Sequence, residues 1–165
     1  MLSLAKILFD GAILSALASA VILISLRVNP RIFLQDYPRD IQERVPPKTP
    51  AERRLSLLIG IPFLLLLLAV PAFSSWTLKH SSSTPVTFWT LFLNASGVAF
   101  VFNLVDLLLL DWGIMCMLTP RFLVVPGSEG AAGYKDYRYH FRGFLVGSVL
   151  SVAAGLVIAT AVFFS

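Results

Sequence analysis

The chain has 165 residues, of which 57% are hydrophobic and 13% charged, with a formal net charge of +4. Four apolar stretches, at 4–26, 55–74, 88–117 and 144–164, are each long enough to cross a hydrocarbon core of about 30 Å, which excludes an ordinary soluble domain. Basic loops beside such stretches meet anionic lipid head groups more readily than nucleic acid, so no nucleic-acid partner is expected, and the single cysteine, Cys116, excludes an intramolecular disulfide.

The first stretch contains Ala18-Ser19-Ala20, a small-residue pattern like that of a signal-peptide cleavage site. Asp10 interrupts the apolar region, however, and 21–26 continue it past the cut, so a retained helix is expected. Lys6 precedes Asp10 by one helical turn and should pair with it. The connection 27–54 alternates charges with prolines. Asn29-Pro30 and Tyr37-Pro38 each have the form of a helix start, and Pro46-Pro47 ends that stretch. Ile32, Phe33, Leu34, Ile41 and Val45 give these pieces apolar faces suited to the membrane surface. Thr49-Pro50-Ala51-Glu52 reads as a capping box, placing the start of the second helix near Pro50.

The second stretch is nearly pure hydrocarbon and suits a lipid-facing position, with Pro62 and Pro71 as points of kinking. A short polar connection containing His80 and Ser81-Ser82-Ser83 follows. The third stretch would make a helix of roughly 45 Å, longer than a bilayer core requires. It must tilt, protrude or break, and Asp111-Trp112-Gly113 is the natural exit. Within it Asp106 is a carboxylate inside a span, which marks a functional candidate or a paired group. Arg27 and Arg142 are its expected partners.

The connection 118–143 holds a turn at Pro126-Gly127-Ser128-Glu129-Gly130. The glycine-rich run 126–133 is a candidate phosphate cradle that lacks the Lys-Ser/Thr ending of a nucleotide loop. Next, aromatic and charged residues alternate toward the fourth stretch. Tyr134, Lys135, Tyr137, Arg138 and Arg142 read as a belt among lipid head groups. Gly143, Gly147, Ser151, Gly155 and Ala159 then draw a small-residue stripe at every fourth position. The first helix has its own stripe, Gly11, Ser15 and Ser19. Small residues let helix backbones approach closely, so the first and fourth helices are expected to pack on each other, with a homodimer as the alternative.

Of the thirteen basic residues, eleven fall in the connections 27–54 and 118–143. Basic residues are retained on the cytoplasmic side, so both connections are expected there and both termini outside. The chain therefore reads as a single integral membrane domain, residues 1–165: a bundle of four transmembrane helices with a structured cytoplasmic cap from the first and third connections.

Chemistry is less legible. Asp106, Asp111, Asp136 and His140 gather at the expected cytoplasmic face and are the candidates for acid–base work. Asp111, Asp136 and His140 would make an oxygen-rich metal set with one imidazole, but no two of them have the spacing of a recognised metal pair, so no metal is expected. The sequence names no cofactor. A scaffold, accessory or interaction protein is the leading expectation, with the bilayer, a second copy or another membrane protein as partner. An interfacial enzyme acting on a lipid head group or membrane-soluble substrate, and an oligomeric transporter of ions or small solutes, are the alternatives.

Overall fold

The computed structural model describes residues 3–165. Helix α1 spans Leu4–Val28 and opens on Ser3, whose side chain accepts from the Lys6 amide. A 3₁₀ turn over Pro30–Asp36 follows, its first amides satisfied by the Asn29 side chain, which accepts from Arg31 N at 2.9 Å. The short helix α2, Arg39–Gln42, begins immediately after Pro38. Both proline starts thus fall where the sequence puts them.

Helix α3, Pro50–Ser81, starts with the Thr49–Glu52 capping box. It runs unbroken through Pro62 and Pro71. Helix α4 spans Phe88–Val105. Past that point the chain neither breaks nor leaves the helix: it rewinds into a π-helical segment, Asp106–Leu118, that ends on Thr119 in the left-handed region at φ 43°. Helix α5, Tyr137–Phe164, is started by the Asp136 carboxylate. Four helical segments, Leu4–Val28, Pro50–Ser81, Phe88–Leu118 and Tyr137–Phe164, are long and apolar enough to cross a membrane. No strand occurs among the described residues.

Helix α4 is the hub on which α1, α3 and α5 all pack. The small residues explain why. A methyl placed on Gly11 of α1 would meet Val101 Cβ at 2.6 Å, and one on Gly97 of α4 would meet Ile7 Cγ2 at 2.9 Å. On the other side, Gly147 lies against the Asn103 side chain and Gly155 against Ser96. Ser15 and Ser151 are buried beside these contacts, each hydroxyl returned to the carbonyl one turn back. The two stripes therefore do not face each other. Both dock on α4, a geometry that pattern alone cannot distinguish from a direct contact, because a small-residue face carries no label for its partner. Gly143 lies outside the contact, with nothing within 4 Å of where its side chain would be. Helix α3 is the most exterior, its leucines at 64 and 65 more than half exposed.

The two long connections pack on each other. Leu34, Tyr37, Ile41 and Val45 from the first meet Leu123, Val125, Ala131 and Tyr134 from the second, with Leu26 of α1 beneath. The apolar faces of the first connection are therefore turned into this core, since burial against apolar partners removes them from water as effectively as a membrane surface does. Tyr37 donates to Leu123 O at 2.9 Å, and Gly133 N donates to Asp40 Oδ2 at 2.8 Å. Arg31 joins this layer to α3 through Glu52, Nε to Oε1 2.5 Å.

Candidate functional site

Between this layer and the bundle lies a cavity of about 760 Å³, within the size range of small-molecule sites. Its apolar wall comes from Ile22, Phe63, Phe102, Phe144, Val146 and Leu150. Its polar end carries Asp36 and Tyr37 from the first connection, Asn103, Asp106 and Asp111 from α4 and its π extension, and His140 and Arg142 from α5.

The π winding is what assembles that end. In an α-helix, five residues would set Asp111 about 140° around the axis from Asp106. Winding with bonds between residue i and residue i+5 turns less per residue and brings the two closer to one face, and both reach the cavity. Gly113 helps the wider turn form: a methyl there would sit 3.2 Å from the Leu108 carbonyl oxygen. The end of the segment is held by Lys135, whose ammonium donates to Cys116 O at 2.5 Å, Met117 O at 3.2 Å and Thr119 Oγ1 at 2.8 Å.

Asp111 and His140 meet in this cavity, Oδ1 to Nδ1 2.9 Å. His140 is only 6% exposed, and its Nε2 has no partner among the described residues. With Nδ1–H given to the carboxylate, the free lone pair falls on Nε2. An aspartate that fixes tautomer and ring orientation, with the far nitrogen unengaged, is the arrangement of a general base.

The other sequence candidates separate. Asp136 does not join the pair: its Oδ1 accepts from Tyr139 N at 2.9 Å and serves as the N-cap of α5. The metal set Asp111, Asp136 and His140 is thereby dismantled, and no group of three metal-ligating side chains occurs among the described residues. Asp106 has neither the expected arginine partner nor any other: among the described residues no ion pair or hydrogen bond engages its carboxylate. Arg27 instead lies over the Phe122 ring at 5.8 Å, and Arg142 is exposed.

The interfacial belt also divides. Tyr137 and Arg138 are exposed as a belt requires. Tyr134 is not: it is 3% exposed, its hydroxyl accepting from Val125 N and meeting Ser128 Oγ, both at 2.8 Å. Lys135 is spent on the π-helix end. The glycine-rich run offers no open phosphate cradle, because its amides are already taken, Gly127 N by the Glu129 carboxylate and Gly133 N by Asp40. Hydrogen bonds from its own backbone amide and from Gly127 N hold the Glu129 carboxyl below its ordinary range.

At the opposite end of the bundle a second polar network forms. Lys6 pairs with Asp10 at 2.8 Å, Asp10 accepts from Ser74 Oγ at 2.5 Å, and Asn94 donates to Ser74 and Ser75. Leu14 and Val98, both fully buried, pack with Ile7 in the core of the bundle.

Sequence reasoning missed Asp36, Tyr37 and Tyr139 as parts of the site. Tyr139 donates to Tyr37 O at 3.3 Å, bringing together residues about a hundred positions apart. No local spacing signals such a meeting. No family model, curated protein or solved structure matches this chain.

Proposed function

We propose that the protein is an interfacial membrane enzyme that takes the polar end of a membrane-soluble substrate into the cavity and uses His140 as its acid–base group. The four long apolar helices cross the bilayer, the basic connections lie in the cytoplasm and both termini lie outside, following the distribution of basic residues. Exposed Arg39, Arg44, Arg53, Arg54 and Arg138 then meet anionic head groups.

One observation carries the reading: a cavity-lining histidine more than nine-tenths buried, oriented by Asp111, with its second nitrogen unpartnered among the described residues. A buried polar atom left without a bond costs about 1–3 kcal/mol. A purely interacting protein gains nothing from that cost, whereas a base requires it. His140 Nε2 removes the proton of a water or substrate hydroxyl as that oxygen attacks an ester carbon or phosphorus. The same proton then passes from Nε2 to the departing oxygen, so the imidazole returns to its neutral form. Asp111 stabilises the transient imidazolium and keeps its own charge throughout.

The test is purification in mild detergent, mass spectrometry of the molecules that stay bound, and incubation of those molecules with fresh protein. His140→Gln should retain the ligand and lose conversion by about 10²-fold or more, the scale of acid–base catalysis. Equal conversion by wild type and His140→Gln would remove His140 from the chemistry and the proposal with it.

A further inference from the structure

The charges of the cavity's polar end are arranged in a way that names a head group. Asp106 has no hydrogen bond or ion pair among the described residues, and Asp36, on the facing connection, has only the Gln35 amide at 2.9 Å. Arg142 lines the same cavity and likewise pairs with neither of them. Among the described residues two carboxylates and a guanidinium, none of them in a salt bridge, thus share one compartment, with Lys48 acting on Asp36 at longer range. Asp106, within the third apolar span, is the costly one of these groups unless compensated. They stay apart here because they lie on three different elements, the 3₁₀ turn, the π segment and α5, each fixed by its own contacts.

Resting on the reading of the cavity as a site for a membrane-soluble substrate, we infer that its occupant is a zwitterionic phospholipid with an aminoalkyl head, the ammonium set against Asp106 and Asp36 and the phosphate against Arg142. A carboxylate attracts an ammonium as a charge-assisted donor, and a guanidinium matches a phosphate with two parallel hydrogen bonds. The apolar wall at Phe102, Phe144 and Leu150 then accepts the first part of the acyl chains. An anionic lipid lacking the amine would leave Asp106 uncompensated. A neutral diacylglycerol would leave both Asp106 and Arg142 so. His140 lines the same compartment, so the ester or phosphodiester linkages of such a lipid lie in the cavity that this histidine borders.

The experiment is native mass spectrometry of the full chain in detergent, with an equimolar mixture of phosphatidylethanolamine, phosphatidylglycerol and diacylglycerol of matched chains. Wild type should retain phosphatidylethanolamine over each competitor by about ten-fold, the effect of roughly one good charge-assisted contact. Asp106→Asn should bring the ratio to phosphatidylglycerol close to one. Asp36→Asn, at an exposed position that the fold tolerates, should reduce it as well. Arg142→Gln should weaken both phospholipids and leave diacylglycerol unchanged. His140→Gln should keep the wild-type ratio. Retention of phosphatidylglycerol or diacylglycerol over phosphatidylethanolamine by wild type, or an unchanged ratio in both aspartate variants, overturns the head-group assignment. If that happens while His140→Gln still stops conversion of the lipid retained, only the head-group assignment falls. If wild type retains none of the three better than a Val146→Trp variant with a bulkier cavity wall, the interfacial-enzyme reading falls too.

Discussion

Replacing Gly155 with alanine should destabilise the bundle, and the size of the loss follows from what the new methyl meets. Its carbon would lie 3.0 Å from Ser96 Cβ and 3.0 Å from Ser96 N, with Ser96 Oγ closer still. The hydroxyl can rotate, but the backbone nitrogen of α4 cannot. Forcing a methyl into a packed contact costs about 1–3 kcal/mol, and a contact against backbone belongs at the upper end. Against this stands a gain of about 1 kcal/mol from removing a glycine from a helix interior. The net loss should be about 2 kcal/mol. Gly143→Ala is the internal control, because nothing lies within 4 Å of that site and only the gain remains. The two variants should therefore differ by about 3 kcal/mol, or roughly 6–12 °C in Tm for a chain of this size. Cys116 supplies the assay: it is the sole cysteine and fully buried, so a thiol-reactive fluorophore reports unfolding during a thermal ramp in detergent. Ser96→Gly added to Gly155→Ala should recover part of the loss. Coincident melting of Gly143→Ala and Gly155→Ala would refute the docking of α5 on α4 described here.

Tyr134→Phe should cost about 1–3 kcal/mol by stranding the fully buried Val125 N–H, whereas Tyr137→Phe, at a 42% exposed position, should stay within about 0.5 kcal/mol, both read by the same thiol assay. Burial, with smaller contributions from Tyr134 and Asp36, pushes the Tyr37 phenol above its ordinary value of 10.0. A raised acid contributes stability below its unfolded value and loses it as pH climbs, so wild type should weaken above pH 10.0. Tyr37→Phe should show a shallower alkaline loss in chemical denaturation, from a lower starting stability, because the bond to Leu123 O is gone. Lys135→Met should free three acceptors at the end of the π segment, and amide exchange at 114–119 should rise while exchange within α4 stays as in wild type.

Much of the fold was legible because its signals are local. The Thr49 capping box, the Asn29-Pro30 start and the Lys6–Asp10 pair each depend on residues within four positions of one another. Hydropathy likewise marks the long helices, since length and apolar content are properties of a single segment. The packing partners were not legible. Gly147 and Gly155 announce a close approach without saying that Asn103 and Ser96 are what approaches. The site was half visible. His140 and Asp111 stood out as titratable groups near one end of the apolar runs, but Asp136 stood out equally, and only the start of α5 shows it to be a cap. The π winding after Val105 has no signature in the residue pattern, so the common face of Asp106 and Asp111 could not be read. Asp36 enters the cavity through the packing of two connections about ninety residues apart, which no periodicity encodes.

Under the proposed function the cavity beside the Asp111–His140 pair receives a membrane amphiphile. Photo-crosslinking in proteoliposomes reads this out, using a phospholipid with a diazirine on the first part of its acyl chain and mapping the label by peptide mass spectrometry. The label should concentrate on α4 near Phe102 and on α5 between Phe144 and Leu150, and Val146→Trp should remove most of it. Label spread over the exposed leucines of α3, with no depletion in Val146→Trp, would show that lipid merely surrounds the bundle and never enters it.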